Sequence, residues 1–280
     1  MRRYLIPVIF ILLSAFGAAP VLSQSSVNVG KILSEIKDKK LSRGDRASIA
    51  ASSLIGADAR SLAESYLDSA NNESNLLPFN SKQFVETAIA LAFASEKLNP
   101  DSALFLSELD AVRYRKGENS GYASNMIYAS DWIADNNYRG KLKEKTYDLP
   151  DNTFMIKTLD YVSSHRNQFA GLRDSIQFER QKSIEMGLRA HKIPYMKLHT
   201  IGKKNIIEML RSGDIIVIIG KEEGMDLYDM GIILIENSLP YLIHADAKER
   251  KIVKEKSPVY EYLKPLTKEI RGYRLLRLPE

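Results

Sequence analysis

Ser81 stands at a junction. In the stretch LLPFNSKQFVETAIALAFASEK a polar cluster, Asn80-Ser81-Lys82-Gln83, meets a run whose apolar residues recur at helical spacing. A hydroxyl there has two uses. It can cap the helix by accepting a hydrogen bond from a first-turn amide, or it can attack an electrophile held at the helix N-terminus, where partial positive charge favours an anion. The second use needs an adjacent base, because an alkoxide is far harder to form than a thiolate. The chain has no cysteine, so thiolate chemistry and cysteine metal sites are excluded.

The candidate bases are few. Of the four histidines, His165, His191 and His199 fall in polar helical or loop surroundings and read as surface residues. His244, in PYLIHADA, follows an apolar run and has Asp246 two residues on. Asp226 and Asp229 lie three apart. With Asp246 they are either an acidic, cation-binding cluster or solvated turn residues. No HExxH or similar spacing occurs, so neither a metal nor another cofactor is expected. Tyr122, Tyr128 and Trp132 either line a groove for sugar or peptide or pack in the core, and core is the reading favoured for Trp132.

The elements that must position these groups fall into two halves. Helices are expected over residues 29–39, 45–53, 61–69, 82–96 and 102–114, with Asn80 or Ser81 as N-cap of the fourth and Gly56 as a stop for the second. The segment 125–136 is mixed, and residues 152–165 and 169–190 read as further helices. After about residue 193 the texture changes. DIIVIIG is a short apolar run rich in β-branched residues, MGIILIE and PYLIHADA repeat that texture with NSLP as the turn between them, and GYRLLRL closes the chain; all four read as strands. Helices first and strands later argue for an α+β domain with a mostly antiparallel sheet.

The N-terminus has another purpose. Arg2 and Arg3 precede an apolar run over residues 5–19 and a small-residue stretch ending at Ser23. That order is a secretory signal, with a single domain over residues 24–280. The run is about 15 residues, short of the roughly 20 that span a bilayer, so no membrane span is expected after cleavage. No cysteine follows it to carry a lipid. Net charge is +5, or +3 without Arg2 and Arg3, and no Lys/Arg block marks a nucleic-acid partner.

Four segments in order resemble one family: FNSKQFVETAIALA, RYRKGENSGYASNMIYASDWIADN, LRSGDIIVII and GMDLYDMGIILIENSLPYLIHADAKERKIV. The chain is similar over residues 49–278 to the DUF1460 family, N-acetylmuramoyl-L-alanine amidase-like proteins of the NlpC/P60 (papain-fold) group. The resemblance implies a papain-like fold, action on amide bonds of peptidoglycan, no cofactor, and export, with the periplasm of a Gram-negative bacterium as the expected place. The family's nucleophilic cysteine falls on Ser81, and the residue before it on Asn80. The family's basic histidine falls on Asp229, while a second histidine is kept as His244. An arginine and a histidine of the tyrosine-rich motif fall on Asn125 and Ile127.

The scaffold survives and the chemistry changes. The resemblance therefore implies a family member without cutting activity, binding a peptidoglycan fragment or an envelope protein. Ser81, Asp229 and His244 are its former catalytic positions. Asn80, Tyr122, Asn125, Tyr128, Asp131, Trp132 and Asp226 are its candidate binding residues. Two alternatives remain open: a hydrolase rewired around Ser81, His244 and Asp246, and a purely structural envelope protein whose cleft has filled.

Overall fold

The computed structural model describes residues 27–37, 40–60 and 79–280. The expected signal peptide and the helix expected over residues 61–69 lie outside them. Helices α1 (Val29–Ile36) and α2 (Arg43–Ser53) lead to α3 (Ser81–Ser95), α4 (Ser102–Arg113) and α5 (Ala129–Tyr138). Strands β1 (Lys143–Glu144) and β2 (Thr153–Lys157) precede helices α6 (Tyr161–Ser164) and α7 (Ser175–Met186). Strand β3 (His191–Lys197), helix α8 (Lys204–Ile207) and strands β4 (Ile215–Gly220), β5 (Asp229–Glu236), β6 (Leu239–Asp246) and β7 (Lys251–Lys254) follow. Helix α9 (Val259–Leu263) and strand β8 (Ile270–Arg277) close the chain.

The longer helices start where short polar side chains satisfy first-turn amides. Ser42 and Asp45 form a reciprocal box at α2, Asp101 accepts from Leu104 N at 2.8 Å, and Asp174 accepts from Ile176 N and Gln177 N. The strands form one antiparallel sheet in the order β2-β3-β8-β4-β5-β6-β7, with β1 beside β8. This is an α+β architecture, with its longer helices mostly before the sheet. Asn237 and Ser238 both have positive φ, which makes the β5–β6 connection a two-residue turn matched to strand twist.

Successive residues of β4 point to opposite faces. Ile215 and Val217 join a core with α1 to α5, while Ile216 and Ile218 join a second core with Val259 and Leu263 of α9. Every residue of β4 is buried, hence its unbroken apolar run. Helix α3 is buried on nearly all sides; Gln83 is its one residue outside that class. It packs on α2, α4, β5 and β6. Gly213, just before β4, has φ +85°, and a Cβ there would stand 2.0 Å from Gly44 O, so the closure of α2 on the sheet needs glycine.

Two expectations are corrected. Residues 152–165 are not one helix: they hold β2 and the single turn α6. Alternate residues of β2, Phe154 and Ile156, are exposed, and its pairing with β3 rather than a buried face defines it. His191 is not in a helix or loop but at the start of β3, half-buried.

Candidate functional site

Helix α3 begins at Ser81, and its cap is Asn80. Asn80 Oδ1 accepts from Gln83 N at 2.8 Å, and Gln83 Oε1 accepts from Asn80 N at 3.1 Å. Ser81 is therefore the first helical residue and not the cap. Its Oγ is buried and has no hydrogen-bond partner among the described residues.

His244 is set by the register of three strands. Directly opposite it lie Gly231 on β5 and Val253 on β7. Residues two positions from a directly opposed partner share its face and sit diagonally within reach. On β5 that residue is Asp229, and beyond β7 it is Glu255. Both carboxylates reach the imidazole: Nδ1 lies 2.7 Å from Asp229 Oδ2, and Nε2 lies 2.9 Å from Glu255 Oε1. Gly231 makes room, since a Cβ there would come within 3.0 Å of the His244 Cβ and 2.5 Å of Ile243 O.

Burial alone would push the His244 imidazole down; Asp229 and then Glu255 outweigh it and hold it up at about 10. At neutral pH both ring nitrogens carry protons and both donate. An imidazolium in that state has no lone pair with which to accept the Ser81 proton. Asp246 does not orient the ring. Its Oδ1 accepts from the amides of Lys248 and Glu249, at 2.7 and 2.9 Å, and holds the turn after β6.

Ser81, Asp229, His244 and Asp246 line one cavity of about 440 Å³, with Arg60, Tyr228 and Tyr262 among its other walls. The Tyr262 ring lies 5.1 Å from the imidazole, tilted by 59°. The family model for N-acetylmuramoyl-L-alanine amidase-like proteins, AmiA-like, matches residues 59–269, which include all of these walls. The chain belongs to the AmiA-like family.

Solved structures agree on the fold. An N-acetylmuramoyl-L-alanine amidase from Bacteroides uniformis is 24% identical, with a TM-score of 0.72, over 85% of this chain and 99% of that one. A Legionella pneumophila protein assigned to DUF1460 is 19% identical, with a TM-score of 0.65, over 90% and 96% of the two chains. No curated protein matches the chain.

The other candidate residues of this AmiA-like chain do not line that cavity. Asp226 accepts from Ala129 N at 3.0 Å and Ser130 N at 2.7 Å, so it satisfies the N-terminus of α5 and is not part of a pair with Asp229. Asp131 is held by Arg115, with 2.7 Å between Oδ1 and Nη1. Trp132 is fully buried and donates to Val112 O at 2.8 Å. Tyr128 is buried, donates to Glu185 Oε1 at 2.7 Å and accepts from Val162 N at 2.9 Å. Tyr122 packs on Gly171, and Asn125 bridges to Tyr114 through the backbone. Four of the candidates, Asp226, Tyr128, Asp131 and Trp132, thus tie α5 to its neighbours.

Two groups escaped sequence reasoning. Glu255 follows a strand that the pattern did not mark, and only the β6–β7 pairing brings it to His244. Glu86 sits inside α3 between two cations, Lys82 and Arg113, the latter at 3.1 Å. The Lys82 Nζ also lies 5.9 Å from the centre of the Trp132 ring. Burial pushes the Lys82 amine down, against the upward pull of Glu86. The four-residue spacing of Lys82 and Glu86 was the available signal.

Proposed function

We propose that this AmiA-like protein is an exported, papain-like relative of the peptidoglycan amidases that binds a muropeptide without cutting it. One observation carries the reading: the imidazole that lines the cavity with Ser81 has both nitrogens engaged by carboxylates, while the Ser81 hydroxyl has no partner among the described residues. A nucleophile and its base need a hydrogen bond between them, at roughly 2.6–3.2 Å. Here the base position is an aspartate whose own oxygen is spent on His244. The rewired hydrolase of Ser81, His244 and Asp246 is disfavoured on the same ground, since Asp246 orients the backbone and not the ring. A filled, purely structural cleft is disfavoured by the cavity itself. Family membership supports peptidoglycan as the ligand class and a place of action outside the cytoplasm. Among the described residues, no helix is long and apolar enough to cross a membrane.

The test has two arms. Purified protein is incubated with sacculi and the soluble fraction is analysed by mass spectrometry; the expected result is no released fragment. Fragments that disappear in Ser81→Ala overturn the reading. Titration with purified muropeptides is then followed by thermal unfolding. A ligand at a hundredfold its Kd stabilises by about 2.7 kcal/mol, so a rise in Tm is expected, and a flat response removes the binding half of the proposal.

A further inference from the structure

We infer that His244 Nε2, Asp246 and Glu255 form a binding site for a divalent metal ion of the zinc class, open on one side to the cavity that Ser81 lines. One ligand atom from each of the three residues falls within 4.8 Å of the others. Imidazole and carboxylate are donors that zinc accepts, at about 2.0–2.2 Å. Nε2 and Glu255 Oε1 already stand 2.9 Å apart, and Asp246 must draw in by about 1 Å to complete the set.

The surroundings are those of a metal-binding imidazole. Nδ1 donates to Asp229, the outer carboxylate that fixes ring orientation and leaves Nε2 for the ion. Asp246 is anchored through Oδ1, which leaves Oδ2 for coordination. The ion would take the place of the proton between Nε2 and Glu255, which leaves to solvent. A separate observation points to a ligand at the same place. Ser81 is 4% exposed, lines the cavity, and its Oγ has no partner; a water in the open position of a bound ion would supply one. Arg60 and the exposed Lys248 also line the cavity, along with Asp229 and Asp246, while Glu255 meets the ring from the Nε2 side.

This inference goes beyond the muropeptide reading and does not rest on it. The full chain is stripped with chelator and titrated with zinc chloride by calorimetry, then with cobalt chloride by visible absorption. One equivalent of zinc, bound at least tenfold more weakly by Asp246→Asn and by Glu255→Gln, is expected, with a 10–100-fold loss in Asp229→Asn. His165→Ala, at an exposed histidine far along the chain, keeps the affinity. The absence of saturable binding overturns the site, as does binding that those variants leave unchanged or that His165→Ala abolishes. Where a carboxylate variant does not fold, the wild-type cobalt spectrum decides: intense visible bands of a low-coordinate ion support the site and their absence overturns it. Sacculi added to the zinc-loaded protein separate the two proposals. Binding with sacculi left whole supports both, and binding with fragments released supports the site while overturning the non-cutting reading.

Discussion

Two buried ionic clusters lie near the start of α3, and they differ in what surrounds them. Lys82, Glu86 and Arg113 are closed in: Glu86 answers two cations, and Trp132 covers one of them. Asp229, His244 and Glu255 are instead arranged around a single cation beside a cavity, with Asp246 and an unpartnered hydroxyl on the same wall. The first cluster has two cations and one carboxylate, and Asp131 adds a second negative charge that acts on Lys82. The second has carboxylate oxygens to spare and a side open to small molecules. The lesson is that burial of charge does not by itself mark a site; unused donors and acceptors beside open volume do.

That contrast can be broken most severely in the closed cluster. Glu86→Ala leaves Lys82 and Arg113 buried together without a counter-charge, and a loss of about 4 kcal/mol in chemical unfolding is expected. His244→Ala should cost less, about 2 kcal/mol, because the Asp229 and Glu255 side chains are partly exposed, at 13% and 18%, and can be hydrated. A loss equal to that of Glu86→Ala would erase the distinction between the clusters.

The pH dependence sharpens it further. His244 titrates at 6.5 when unfolded and at about 10 in the folded protein. The folded state thus binds the proton more tightly, and its stabilisation is full below pH 6.5 and is lost as pH rises through 10. Metal-free protein should lose Tm between pH 7 and 10 by more than His244→Gln does; parallel curves would deny the imidazolium. At the helix start, Asn80→Ala should cost about 1 kcal/mol, since it removes the cap. Ser81→Ala should change stability by no more than about 0.5 kcal/mol, since no hydrogen bond is lost. Reversal of that order would return the cap to Ser81.

Much of the frame was legible. The β-branched runs of β4 and β5 announce strands, and β4, buried on both faces, is apolar at every position but its closing glycine. Helix α3 announces itself through continuous helix-forming apolar residues. Strands β2 and β3 stayed hidden because half of β2 faces solvent, so its composition carries no single buried face. The binding residues proposed along Tyr122–Trp132 were chosen for aromatic and polar type, which core packing, a helix N-terminus and an ion pair use as readily as a ligand does.

The amino-acid sequence by itself determined which chemistry was absent: no thiol, and an acid and a hydroxyl where the family resemblance leads one to expect imidazole and sulfur. It also determined the α+β order of the elements, because periodicity and β-branching act over short windows. Only the tertiary structure decided the state of His244. Its two carboxylates come from residues 15 positions before and 11 after it, and strand register, a property of paired backbones, is what lays them against one ring.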